Sequence, residues 1–155
     1  MSIIVAGANG IKSSNLDILT DVVYENFIYL KDVPNLSHSR RAIYEVLTSS
    51  KPQIYLVLVN GAIASYLIGE IVKLKDGRGV LYITYLFTAD QFRSHGYASK
   101  LMAVADDISK RNSLDGLMLT CDSENIKTYD FYMKKGFMPD MLLRTYQKYE
   151  VLFKN

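Results

Sequence analysis

The feature that most constrains this chain is a change of period part-way along it. Three runs, QIYLVLV (53–59), AIASYLIGEIVKL (62–74) and GVLYITYLFT (79–88), are rich in β-branched and aromatic residues, the composition of strands on a pleated, half-buried surface. Asn60-Gly61 separates the first two and Asp76-Gly77-Arg78-Gly79 the next two. Asn-Gly suits a two-residue hairpin turn because both positions need positive φ. Three antiparallel strands are expected. After residue 88 the spacing lengthens. Ala98, Leu101, Met102, Ala105 and Ile108 share one helical face, and the apolar run GLMLTC (116–121) follows. Strand, helix and strand in that order imply a crossover and a parallel pair. Antiparallel hairpins followed by a crossover define a mixed α+β class.

The remaining segments fit around that frame. Ile3–Ala6 is a short apolar start. Leu16, Leu19, Val23, Phe27 and Leu30 then recur at helical spacing behind the candidate caps Ser13, Ser14 and Asn15. The segment LKDVPNLSHS breaks this first helix at Pro34, and a second helix is expected over about 39–48. A last helix is expected over about 125–135, and LLRTY and YEVLF read as one or two closing strands. No repeat or Ser/Pro-rich linker interrupts the 155 residues, so a single domain over 1–155 is expected.

Composition removes several classes. Hydrophobic residues at 49% and charged residues at 22% allow a real core. Eighteen basic against sixteen acidic residues leave a net charge of +2, too little for a nucleic-acid-binding face. Cys121 is the only cysteine, so no intrachain disulfide or cysteine-based zinc site can form, and His38 and His95 are too few for a metal site without an acidic cluster. No metal is expected. No apolar run reaches the roughly 18 residues that span a bilayer, and the N-terminus lacks a basic region before its apolar patch. No membrane association is expected, and a reducing, cytoplasmic setting fits.

Chemistry concentrates where GVLYITYLFT leads through ADQFRSHGYAS into a helix. Gly96 permits a tight helix start and close backbone approach to a ligand. The N–H groups of a first helical turn, with the positive end of the dipole, stabilise a pyrophosphate. Arg93 and His95 add charge. Taken alone, R-x-x-G-x-A is equally a plain helix start. Here it follows an expected strand and opens an expected helix.

With Arg93, Ser94, His95, Gly96, Tyr97 and Ala98 in that order, the chain resembles the GNAT superfamily of acetyltransferases, whose motif is Arg or Gln, two residues, Gly, one residue, then Gly or Ala. A second family pattern, Asn-x-x-Ala-x-x-x-Tyr-x-x-x-Gly-Phe, is similar to Asn125, Thr128, Tyr132, Gly136 and Phe137 in this chain, with Thr128 in place of Ala. The resemblance implies a central mixed, mostly antiparallel sheet splayed between its fourth and fifth strands and flanked by helices. Acetyl-CoA would be the co-substrate, held by Leu86, Phe87 and Thr88, by Arg93 to Ala98 and by Asn125. It implies direct attack by a primary amine in a ternary complex, the amine being on a small molecule, a lysine or a protein N-terminus. A backbone N–H near Thr88 would bind the thioester oxygen, and Tyr132 would be the general acid. A phenol of pKa about 10 is protonated at neutral pH and can donate to a thiolate whose parent thiol sits near 8.5. Homodimerisation through YEVLF as an exposed edge is also implied.

The general base stays open. The fourth strand, VLYITYLFT, contains no acid; Tyr82, Glu70, Asp122 or a water chain are the candidates. A catalytically silent acyl-CoA-binding module is therefore the alternative function. Gly7-Ala-Asn-Gly10 lacks the third glycine and the βαβ unit of a dinucleotide loop and reads as a turn. Cys121, with no base at recognisable spacing, reads as a buried apolar thiol.

Overall fold

The computed structural model describes residues 2–6, 13–33, 37–49, 52–143 and 148–155. Its elements are β1 (Ser2–Ala6), α1 (Ser13–Asn26), α2 (Arg40–Leu47), β2 (Pro52–Val59), β3 (Ala62–Lys73), β4 (Gly79–Thr88), α3 (Tyr97–Arg111), β5 (Gly116–Asp122), α4 (Ile126–Lys134), β6 (Met138–Pro139) and β7 (Tyr149–Lys154). The strands hydrogen-bond in the order β1-β2-β3-β4-β5-β7-β6. β1/β2, β2/β3, β5/β7 and β6/β7 are antiparallel and β4/β5 is parallel, the mixed α+β sheet that the period change requires. Two compact units are distinguished, Met1–Glu70 with Tyr85–Met102, and Ile71–Thr84 with Ala103–Asn155.

In the first unit, local chemistry sets each boundary. Asn60 and Gly61 take φ of +51° and +81°, the pair of positive values that a two-residue hairpin turn needs. Ser39 caps α2, its Oγ accepting from Ala42 N–H at 3.0 Å. Leu16, Leu19 and Val23 from α1 and Ile43 and Leu47 from α2 pack on Ile54, Tyr66, Ile68 and Tyr85. Each buried aliphatic side chain contributes about 1.5–3 kcal/mol. Phe27 and Leu30 are not on α1 as the spacing suggested. The α-helix stops at Asn26, and Ile28–Leu30 forms a tighter 3₁₀ turn, so Phe27 reaches the core from the connector. Pro34 and the Gly7–Gly10 turn lie outside the described residues.

In the second unit, β5 lies between β4 and β7, paired from Val80↔Gly116 to Ile83↔Leu119 on one side and from Leu117↔Lys154 to Asp122↔Tyr149 on the other. A Cβ at Gly116 would lie 2.1 Å from Lys154 O, so only glycine allows the two strands this close. Arg78 grips Asp140 with two bonds of 2.7 and 3.1 Å and Asp76 with three of 2.9 to 3.3 Å. Asp140 also accepts the N–H groups of Leu142 and Leu143 at 3.1 and 2.7 Å. That carboxylate turns the chain at the start of LLRTY, which is why Leu142 and Leu143 form no strand; residues 144–147 lie outside the described residues. The closing strands are β6 and β7. β7 is also not the free edge that the tail composition suggested, because β5 runs along it and β6 pairs with Leu152 and Phe153.

Candidate functional site

The β4/β5 ladder ends at Ile83↔Leu119, while β4 continues to Thr88. In the first unit, β3 takes one edge of that extension. Ser65, fully buried, donates from Oγ to the Phe87 carbonyl at 2.7 Å and meets Thr88 Oγ1 at 2.9 Å, and Ala89 N–H donates to Ala64 O at 2.9 Å. The Thr88 carbonyl faces the opposite edge, where Arg93 Nε donates to it at 3.1 Å. Backbone direction alternates along a strand, so the N–H groups of Leu86 and Thr88 also face the edge away from β3. Leu86, Phe87 and Thr88 are half-buried, and the Phe87 ring stacks on Tyr66 with centroids 5.5 Å apart. Ser65 was not singled out from sequence, although a lone hydroxyl inside the apolar run AIASYLIG was its signal.

The loop that follows is exposed from Arg93 to Gly96. Ser94 and Gly96 take φ of +65° and +76°, the left-handed region that turns the chain into α3. A Cβ at Gly96 would meet nothing within 4 Å, so the glycine is required by conformation. His95 Nδ1 lies 2.8 Å from Arg93 O and 3.1 Å from Phe92 O. Both partners can only accept, so Nδ1 carries the proton. The ring stacks on Tyr97 at 5.6 Å. Arg93 also pairs with Asp90 at 3.0 Å. Lys100 N–H bonds Gly96 O at 3.1 Å, so the N–H groups of Tyr97, Ala98 and Ser99 precede the first intrahelical bond of α3. No acid occupies its first turn. Unopposed donors, a positive dipole end and the cation of Arg93 together fit a pyrophosphate.

The other sequence-selected residues belong to the second unit. Asn125 is the N-cap of α4, its Oδ1 accepting from Thr128 N–H at 3.3 Å. Tyr132 is 7% exposed, edge-on to the rings of Phe131 and Phe137. The proposed bases fare unevenly. Tyr82 is hydrogen-bonded to Thr120 Oγ1 at 2.6 Å, and burial pushes its phenol up, holding it neutral. Asp122 is taken by Lys148 at 3.3 Å and by Glu124 N–H at 2.9 Å. Glu70, in the first unit, ends the β2/β3 ladder opposite Pro52. Cys121 is buried, and its thiol is pushed up to about 11, chiefly by burial. No His, Cys, Asp or Glu cluster suited to a metal occurs among the described residues, and no helix among them is long and apolar enough to cross a membrane.

Residues 21–137 match the acetyltransferase (GNAT) family, a span that contains both sequence motifs. The chain belongs to this family. Solved GNAT-fold structures agree across nearly the whole chain. PaiA N-acetyltransferase from Thermoplasma acidophilum, in complex with coenzyme A, superposes with a TM-score of 0.69 at 14% identity, covering 99% of each chain. Arabidopsis thaliana Naa50, with the bisubstrate analogue CoA-Ac-MVNAL, gives 0.67 at 16% identity, covering 100% of this chain and 99% of that one. An aminoglycoside acetyltransferase from an uncultured soil metagenomic sample gives 0.68 at 14% identity, covering 94% of each. Among curated proteins, no sequence match is found.

Proposed function

We propose that residues 1–155 form one cytoplasmic N-acetyltransferase domain that moves an acetyl group from acetyl-CoA to a primary amine on a small molecule, lysine or peptide N-terminus. The observation that carries this reading is the exposed Arg93–Gly96 loop turning into the acid-free first turn of α3 directly after β4. When bound, acetyl-CoA supplies an activated thioester. The N–H groups of the loop and of Tyr97, Ala98 and Ser99, with Arg93, hold its pyrophosphate. Leu86, Phe87 and Thr88 line the pantetheine arm, and the Leu86 and Thr88 N–H groups polarise the thioester carbonyl. Asn125 orders the start of α4, and Tyr132 protonates the departing thiolate.

A calorimetric titration with acetyl-CoA tests this. Wild-type protein is expected to bind in the micromolar range, and Gly96→Asp to lose at least about 100-fold, because a carboxylate repels the pyrophosphate where charge-assisted bonds are strongest. Absence of binding by folded wild-type protein would falsify the reading. The second reading, a silent acyl-CoA-binding module, is favoured by β4, which carries no acid and whose Tyr82 is held by Thr120. It predicts binding without release of CoA in the presence of amines.

A further inference from the structure

Ser65 is a polar residue inside the apolar run AIASYLIG, and it is 0% exposed. A buried hydroxyl is costly unless it is hydrogen-bonded, and strand pairing at this position needs none. The β2/β3 register shifts beside it. Val57 pairs with Ser65, but Leu58 pairs with Ile63, so Ala64 is an extra residue and β3 carries a bulge. Side chains of a regular strand stand roughly perpendicular to the sheet, and a bulge is the device that re-aims one of them. Here the re-aimed side chain reaches the backbone of β4.

The proton positions follow from the partners. Ser65 Oγ lies 2.7 Å from the Phe87 carbonyl and 2.9 Å from Thr88 Oγ1. A carbonyl only accepts, so the single hydroxyl proton of Ser65 goes to Phe87 O, and Thr88 Oγ1 donates to Ser65 Oγ. Phe87 C=O and Thr88 N–H are the two ends of one planar trans peptide unit and point in opposite directions. With the carbonyl end held on the β3 side, the Thr88 N–H faces the other edge, where Arg93 Nε bonds the Thr88 carbonyl at 3.1 Å. The next N–H, of Ala89, is fixed to Ala64 O at 2.9 Å. The peptide plane therefore cannot turn without breaking the Ser65 bond. A hydrogen bond to its carbonyl also polarises the amide, which makes its N–H a stronger donor. Ser65, Phe87, Thr88 and Arg93 all belong to the first unit.

We propose that Ser65 is a positioning residue for acetyl transfer, one that holds and polarises the Phe87–Thr88 peptide unit so that the Thr88 N–H is aimed at the thioester carbonyl oxygen. This rests on the acetyl-transfer reading above. Negative charge grows on that oxygen as an amine attacks, and a donor fixed in advance stabilises it without reorganising. Ser65 gives up no proton and touches no reacting atom; it acts through Thr88.

The test binds acetyl-CoA, labelled with carbon-13 at its carbonyl, to the full chain and reads the thioester carbonyl stretch by infrared difference spectroscopy with no amine present. In wild-type protein the stretch should lie below that of free acetyl-CoA, and in Ser65→Ala and Ser65→Cys it should move back towards the free value. Cysteine keeps the shape of the buried side chain but is a weak donor, so it separates a lost bond from lost packing. With spermidine, kanamycin or a short peptide with a free N-terminus as acceptor, both variants are expected to lower kcat about 10-fold, because the Leu86 N–H remains; losing a whole oxyanion donor costs roughly 100-fold or more. Acetyl-CoA affinity by calorimetry should not change. A serine that only supports the fold would lower Tm and leave the stretch and the kcat of the folded protein unmoved. A wild-type stretch equal to that of free acetyl-CoA, one stretch common to all three proteins, or wild-type kcat in both variants would each overturn the proposal. Should no amine be turned over, the stretch alone decides it. Failure of the wild-type protein to bind acetyl-CoA would instead sink the acetyl-transfer reading. The Thr88 amide proton resonance of the free protein then still reports on Ser65: an upfield shift in Ser65→Ala supports the polarised peptide, and an unmoved resonance rules it out.

Discussion

Two polar side chains, His38 in the first unit and Glu150 in the second, differ in how their hydrogen-bonding atoms are satisfied. In the first unit, Tyr85 Oη lies 3.1 Å from His38 Nδ1, and His38 Nε2 lies 3.0 Å from the Tyr24 carbonyl. A carbonyl only accepts, so Nε2 carries the proton and, in neutral imidazole, Nδ1 accepts from Tyr85. The His38 ring is stacked on Tyr24 with centroids 5.1 Å apart and planes 4° from parallel. Every hydrogen-bonding atom of that imidazole is satisfied, and Tyr85, 5% exposed, has its phenol pushed up to about 12 by burial. In the second unit, Glu150 keeps a buried oxygen with no hydrogen-bond partner among the described residues. A closed polar pair fastens α1 and the start of α2 to β4.

That contrast can be broken by mutation. The largest effect on folding is expected from His38→Ala, which deletes two hydrogen bonds and a ring stack inside the core and should cost about 3 kcal/mol by urea denaturation. Acetyl-CoA affinity of the folded fraction should hold; a stable variant without turnover would mean the closed pair also does chemistry. Asp140→Ala is expected to cost about 2 kcal/mol, below the 3–5 typical of breaking a fully buried pair, since Asp140 is 3% but Arg78 19% exposed. Hydrogen bonding to Arg78 holds the Asp140 carboxyl below its usual range. Its folded value is therefore depressed, and its stabilisation is full above pH about 4 and is lost as pH falls through that lower value. The stability gap between wild type and Asp140→Ala should be constant at neutral pH and close only in acid; a gap that closes near pH 6 would assign it to another group. The smallest effect should come from Tyr85→Phe, about 1 kcal/mol with unaltered kcat.

Much of the fold was legible from local pattern. The helices expected from about residues 39 and 125 begin at Arg40 and Ile126, capped by Ser39 and Asn125, and Asn60-Gly61 makes the expected hairpin turn. The first helix was overextended because Phe27 is apolar at the right spacing, yet the backbone at Phe27, φ −116° and ψ 26°, has left the α-helix. Of the two closing segments, YEVLF lies in β7, whereas Leu142 and Leu143 of LLRTY form no strand because Asp140, paired with Arg78 from 62 residues earlier, accepts their N–H groups. The candidate site was legible in its loop and less so in its acids. Asp122 looked available, but a lysine inside the tail neutralises it.

Periodicity, turn chemistry and caps act over a few residues, so the order of strands and helices and the two family motifs were written in the sequence alone. Which polar atoms are satisfied depends on partners far along the chain. His38 meets Tyr85 across 47 residues, and Glu150 reaches its place beside Cys121 only through the β5/β7 register. Strand register and helix packing decided those placements, because they bring together residues that no local pattern relates.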